Sequence, residues 1–163
     1  MMRAIATFFY VGLVPVAPGT AGALAALPVA YGLQVLGGFP ALALATVAAT
    51  WLGWLATRAV TVEGPPDPSF VVIDEVAGQW VALWPLSFGL WMAGAAPTLF
   101  PWPGWVGAFL LFRLFDIWKP GPVGWADRLK TPWGVMLDDL IAGAMAAILV
   151  LVGALVAHVG MGV

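Results

Sequence analysis

The sequence predicts an all-α fold, a small polytopic bundle of membrane helices with its reactive groups gathered at the cytoplasmic helix ends. Three observations carry this expectation. Of the 163 residues, 63% are hydrophobic and only 9% charged, against about 25% charged in an ordinary soluble domain; the mean hydropathy is +1.01. Residues 76–112 and 140–163 contain no Asp, Glu, Lys or Arg, and a spanning helix needs ~20 apolar residues. All the charged side chains except Arg3 fall between Arg58 and Asp139, and ionisable groups near a bilayer persist mainly where they pair, bind an ion or handle a polar substrate. No shift in composition marks a second unit, so residues 1–163 read as a single membrane domain.

The elements follow in order. Residues 4–14 are apolar and predict an interfacial or re-entrant helix; Pro15 and Pro18-Gly19 interrupt them too early for a secretory signal. Pro18-Gly19-Thr20-Ala21-Gly22 opens the next helix, with Thr20 as its N-cap and free backbone N–H groups able to cradle an anion. Residues 21–36 are short for a span, whereas 39–57, 76–97 and 140–163 are long enough. Residues 102–118 suffice only if their charged end lies at the interface. Gly37-Gly38 and Pro97 to Pro103 read as uncharged turns on one side. The breaks at 58–69 and 119–132 carry Arg58, Lys119, Arg128 and Lys130, which the positive-inside rule assigns to the cytoplasm. Tryptophans near block ends (Trp51, Trp54, Trp91, Trp102, Trp105, Trp118, Trp125) fit either an interfacial belt or a packed core.

Six basic residues in a chain of net charge -2 exclude a phosphate-tracking nucleic-acid face. The absence of cysteine excludes disulfides and thiolate chemistry. His158, the single histidine, is remote from the acids and reads as a residue of the opposite interface. Glu63 and Asp67 read as solvated loop residues.

The chemistry concentrates in two acidic pairs and one charged helix end. Asp74-Glu75 and Asp138-Asp139 each sit where a polar break becomes an apolar helix, which would place them in first turns. A cap needs one acid. Two adjacent carboxylates repel, and a hard cation stabilises such a pair better than a helix dipole does. Gly78 and Gly143 lie about a turn further on, where another helix or a headgroup can approach closely. Arg113, Asp116 and Lys119 recur at intervals of three on one helix face, among neighbours too apolar to provide a solvated side. Arg113 suits bidentate phosphate binding, and Lys119 acts as a point charge. Asp127 and Arg128 either extend this cluster or pair with each other, and Lys130 reads as a topology determinant or a contact to anionic lipid.

These segments resemble a known family. Val72-Ile73-Asp74-Glu75-Val76-Ala77-Gly78-Gln79, the run from Phe112 to Pro122 with Trp125-x-Asp127-Arg128, and the run from Gly134 to Gly143 are similar to signatures of the phosphatidylglycerophosphatase A family. The Pro18-Gly19-Thr20-x-Gly22 turn resembles its N-terminal motif. The chain departs from that pattern at Ala23, where the family commonly has Ser, and at Lys130-Thr131-Pro132-Trp133, where it commonly has a His/Gly-Gly run. The resemblance implies an all-helical Mg²⁺-dependent lipid phosphatase of the bacterial inner membrane that converts phosphatidylglycerophosphate to phosphatidylglycerol.

The resulting expectation is a phosphomonoesterase with Mg²⁺ held by Asp74, Glu75, Asp138 and Asp139. Arg113 and Lys119 neutralise the terminal phosphate, with Thr20 and Arg128 as further substrate contacts. Asp116 or Asp127 activates water or serves as nucleophile. The alternatives are a phosphatase of a related lipid phosphate and a small cation-coupled transporter; the latter calls for mid-depth polar groups, which are few here. A nucleotide-dependent headgroup transferase would need an Asp-Gly-x-x-Ala-Arg signature that the chain lacks.

Overall fold

In a computed structural model of the chain, the backbone is described for residues 1–62 and 64–160, and side chains for 1–62 and 64–157. The readings of Glu63 and of the His158 side chain fall outside these. The described residues are all-helical: α1 (Met2–Ala6), α2 (Pro18–Val60), α3 (Ile73–Met92), α4 (Trp102–Trp118), the short α5 (Pro122–Asp127) and α6 (Pro132–Gly160). Within them, Pro18–Val60 and Pro132–Ala157 are long and apolar enough to cross a bilayer.

At 43 residues α2 would run ~65 Å as a single rod. It does not, because Gly38 adopts φ 62° and ψ -154° and reverses the chain, a conformation natural only to glycine. The uncharged Gly37-Gly38 turn expected from sequence is therefore present, inside one continuous helical run. Residues 18–37 form a first limb and 39–60 a second, and both pack along α3. Trp80 Nε1 donates to the carbonyl of Ala26 at 2.9 Å and Ser87 to Gln34 on the first limb, while Trp84 Nε1 reaches Thr46 Oγ1 at 3.2 Å on the second. Without a hydrophobic force between helices in lipid, such polar ties and close packing hold a bundle together.

The closest packing lies between α3 and α6. A Cβ on Gly78 would stand 2.5 Å from the Asp139 carbonyl oxygen and 2.6 Å from Phe112, and a Cβ on Gly143 would strike the carbonyl of Gly78. The two helices thus touch backbone to backbone, which only paired small residues permit. Around them Val76, Ala77, Leu83, Phe112, Met136, Ala142 and Ala146 form a buried apolar core.

The N-terminal expectation needs correction. Residues 4–14 do not form one helix: α1 ends at Ala6, and Phe8, Phe9 and Tyr10 all take positive φ before a 3-10 turn at Val11–Leu13. The buried Thr7 stops the helix by bonding back to the Arg3 carbonyl and accepting from Tyr10 N–H at 3.0 Å. The stretch after it is held by the chain ahead of α3, where Val72 N–H donates to the Ala6 carbonyl at 2.9 Å. Among the tryptophans, Trp51, Trp91, Trp102, Trp118 and Trp125 are exposed as a belt requires, whereas Trp105 is buried.

Gly143→Ala should destabilise the bundle by on the order of 1–3 kcal/mol through overpacking, read as a lower thermal midpoint in detergent. Gly89→Ala, which meets no atom within 4 Å, should not lower it.

Candidate active site

At one end of the bundle five segments enclose a cavity of about 220 Å³. Pro18 and Gly19 come from the start of α2. Asp67, Ser69 and Val71 come from the connection before α3, and Asp74 and Glu75 from the first turn of α3. The end of α4 supplies Arg113 and Asp116, capped by Lys119. Asp127, Lys130, Val135, Asp138 and Asp139 follow from α5 to α6. Seven carboxylates meet three cations in this space, an excess of negative charge that side-chain pairing alone leaves unbalanced.

The carboxylates divide into two groups. Oxygens of Asp74, Glu75 and Asp139 all lie within 4.8 Å of one another, and Asp74 and Asp139 are almost wholly buried. Within this trio Asp74 Oδ1 accepts from the Glu75 N–H at 3.0 Å, while Glu75 Oε2 has no hydrogen-bond partner. Asp138 belongs to the second group: its Oδ2 accepts from Lys119 Nζ at 2.6 Å, and Asp127 Oδ1 accepts from the same ammonium at 2.7 Å. Lys130 stands 3.5 Å from the other oxygen of Asp127. Asp116 lies between the groups, bonded to Arg113 Nη1 at 2.5 Å and facing Asp139 and Glu75.

Local structure explains each placement. Lys119 caps α4 in the left-handed conformation, φ 49°, which turns the chain sharply while its side chain reaches across to α5 and α6. Pro122 starts α5 with its ring fixed at the first position, and at the end of that short helix Asp127 faces back toward Lys119. The hydrogen bond from Lys119 holds the Asp127 carboxyl below its ordinary pKa despite partial burial. For Lys119, burial pushes downward, but the bonds to Asp127 and Asp138 prevail and raise it above the usual lysine range. Gly19 permits closure from the α2 side, since a Cβ there would collide with Glu75 Oε1 and stand 3.5 Å from Arg113 Nη1.

Several expectations change. The Asp74-Glu75 pair does occupy the first turn of α3, but α6 starts at Pro132 and has no acid in its first turn. Asp138 and Asp139 therefore lie nearly two turns in, ~9 Å along the axis, beyond the reach of a capping role. Thr20 is not an N-cap, because α2 begins at Pro18 with Ala17 before it; Thr20 is half-buried behind Gly19 and does not line the cavity. Asp127 and Arg128 do not pair: Asp127 joins Lys119 and Lys130, while Arg128 is exposed and off the cavity wall. Lys130 lines the cavity rather than standing apart from it.

Asp67 and Ser69 also reach the cavity, at its rim, since both are exposed and Asp67 is solvated as the sequence suggests. The available signal is Pro65-Pro66-Asp67-Pro68, since prolines on both sides fix an acid's direction. Gln79 is a further residue that the sequence does not single out. It is fully buried one turn beyond Glu75, with neither amide atom partnered, and Arg113 Nε on α4 is also unpartnered. Buried polar groups are nearly always satisfied, so Glu75 and Arg113, which both line the cavity, mark a place where a polar ligand belongs.

Lys119→Met should raise the titration midpoint of Asp127, followed by carboxyl ¹³C NMR, because the charged form loses its principal donor. Arg128→Met should leave that midpoint in place.

The sequence profile of the phosphatidylglycerophosphatase A family matches residues 4–154. Phosphatidylglycerophosphatase A of Escherichia coli is 34% identical over 146 residues, covering 88% of this chain and 77% of that protein. The Haemophilus influenzae protein of the same name is 34% identical over 148 residues, 90% and 84% of the two chains. A Bacteroides thetaiotaomicron protein provisionally described as a phosphatidylinositol-3-phosphatase is 40% identical over 154 residues, 91% and 90%. No solved structure matches. With a profile covering nearly all of its length and its motif acids gathered in one cavity, the chain belongs to the phosphatidylglycerophosphatase A family.

Proposed function

We propose that this protein hydrolyses phosphatidylglycerophosphate to phosphatidylglycerol and phosphate, using a divalent cation, Mg²⁺, held by Asp74, Glu75 and Asp139. The observation that carries the reading is the buried carboxylate trio with its unpartnered Glu75 oxygen, set opposite Arg113 and Lys119 in a single cavity. Family membership supports a lipid phosphatase of phosphatidylglycerol synthesis.

The donor set fits Mg²⁺. Three carboxylate oxygens that all lie within 4.8 Å of one another could turn toward a single ion, and hard carboxylate oxygens are what Mg²⁺ takes. Bound there, the cation would supply Lewis-acid polarisation of a phosphoryl oxygen. Asp138 supports the site from outside the trio, its charge engaged by Lys119 while it stands beside Asp139.

The remaining steps belong to the chain's own side chains. Arg113 is held by Asp116 and presents its guanidinium across from the trio, suited to the non-bridging oxygens of a terminal phosphate. Lys119, fixed between Asp127 and Asp138, adds a point charge where the phosphoryl group gains negative charge as it transfers. Asp116 is the acid nearest both Arg113 and the trio, and it is the group we assign to orient the attacking water. Asp127, held ionised by its two lysines, keeps Lys119 in place. The helices α2, α3 and α6 all begin on this side, so their positive ends face the anionic headgroup.

The site faces the cytoplasm of a multi-pass protein in the bacterial inner membrane, a placement supported by the positions of Arg58, Lys119, Arg128 and Lys130. The Bacteroides relative supports a second reading, hydrolysis of a phosphoinositide by the same apparatus. Both lipids place a monoester phosphate on a headgroup beyond the phosphodiester, so the site chemistry is shared.

Purified protein should release phosphate from phosphatidylglycerophosphate faster than from phosphatidylinositol 3-phosphate, and excess chelator should abolish release. Asp139→Asn should lower kcat by about a hundredfold or more, several kcal/mol of transition-state stabilisation, and weaken Mn²⁺ binding measured by electron paramagnetic resonance. Arg128→Ala should stay within about twofold. Release that persists with Asp139→Asn or in chelator would remove the cation assignment.

A further inference from the structure

A second cavity, of about 540 Å³, lies between the first limb of α2 and α4, walled by Leu24, Leu27, Pro28, Val106 and Phe109. It exists because α4 packs on α3 and α6 and touches α2 only sparsely. The gap is closed at both ends. Toward the active site Gly19 and Arg113 meet, with Arg113 Nη1 3.5 Å from where a Gly19 Cβ would stand. At the far end Tyr31, Phe100 and Trp105 stack into a floor with ring centroids 5.1–6.2 Å apart, and the Tyr31 hydroxyl donates to the Thr98 carbonyl at 3.0 Å. Sideways the groove is open, and Leu24 and Val106 are half-exposed along it.

We propose that this groove seats one acyl chain of the lipid phosphate whose headgroup occupies the carboxylate cavity. The assignment rests on the function proposed above and deepens it. The same two helices supply both regions: Gly19 and Arg113 to the polar cavity, Leu24 and Phe109 about a turn below them to the groove. From Gly19 to Tyr31 is twelve residues, ~18 Å of helix, so a chain that passes outside the Gly19–Arg113 contact and enters by the open side has a straight apolar track down to the floor. Its volume lies within the 300–1,000 Å³ typical of ligand pockets. An unfilled groove would forfeit dispersion contacts along both walls, and in a bilayer the occupant at hand is a hydrocarbon chain. The groove does not extract that chain from water, since lipid tails are already in an apolar medium. Its effect is register: a chain lodged against the aromatic floor sets the depth at which the phosphate meets Arg113 and the trio.

Two measurements on the full-length protein in phosphatidylcholine nanodiscs test this. In the first, phosphatidylglycerophosphate carrying a diazirine on each acyl chain in turn is photolysed, with phosphatidylcholine carrying the same chain as comparison. The phosphate-headed probe should label residues 24–31 and 105–109 several-fold more than the exposed face at 148–156, and the choline probe should label both alike. Equal labelling by the two probes overturns the proposal. This arm needs no turnover, so absent phosphate release would sink the proposed function while labelling still decides the groove. In the second, Leu24→Trp and Val106→Trp, which fill the groove, should lower the ratio of kcat/KM for long-chain over dihexanoyl substrate on the order of tenfold by misplacing the headgroup. Leu110→Trp, on an exposed face outside the groove, should keep the parent ratio. A ratio unmoved by Leu24→Trp and Val106→Trp overturns the groove; if these variants fail to fold, labelling of the unaltered chain decides between the two outcomes.

Discussion

The contact between Gly78 and Gly143 is the constraint on which the rest depends. Two helices can approach to backbone contact only where both lack side chains. That approach puts the first turn of α3 beside the second turn of α6, so Asp74, Glu75 and Asp139 converge from different parts of the sequence. The same contact confines Phe112 against Gly78, and Phe112 precedes Arg113 on α4. A backbone contact made for packing thereby sets the distance between the anionic and cationic halves of the site.

Around that contact the charges form a graded arrangement. Among the described residues no salt bridge reaches the buried trio, whereas Asp116 is paired with Arg113, and Asp127 and Asp138 are tied to Lys119. Buried charge without pairing is costly, and here the unpaired carboxyl groups are adjacent while the paired ones stand around them. Lys119 and Arg113 are themselves held in fixed directions by acids. Positively charged groups so anchored need little reorganisation when charge develops on a reacting phosphate.

Much of this is legible in the sequence because it rests on charge scarcity and on spacing. In so apolar a chain, Asp74-Glu75, Arg113 to Lys119 and Asp138-Asp139 have few roles open to them, and glycines a turn away announce close approach. What escapes depends on where elements begin and on contacts between distant segments. The depth of Asp138 and Asp139 hinges on Pro132 starting α6, a boundary that hydropathy blurs because Trp133 to Leu137 are apolar too. The division of Asp138 from Asp139 needs the reach of Lys119 from another helix end. Residues 4–14 mislead because their hydrophobicity suits a helix, while the Thr7 side chain and the neighbouring 68–72 segment impose turns.

The reversal at Gly38 settles a question of parity. With α2 folded back, the chain passes along the bundle five times rather than four: two limbs of α2, then α3, α4 and α6. An odd number of passes separates α1 from the late part of α6. Arg3 packs on Phe70 beside the carboxylate cavity, whereas Ala157 lies by Pro101 and Pro103 at the opposite end. In the membrane placement proposed above, one glycine torsion thus puts the early and late residues of the chain in different aqueous compartments.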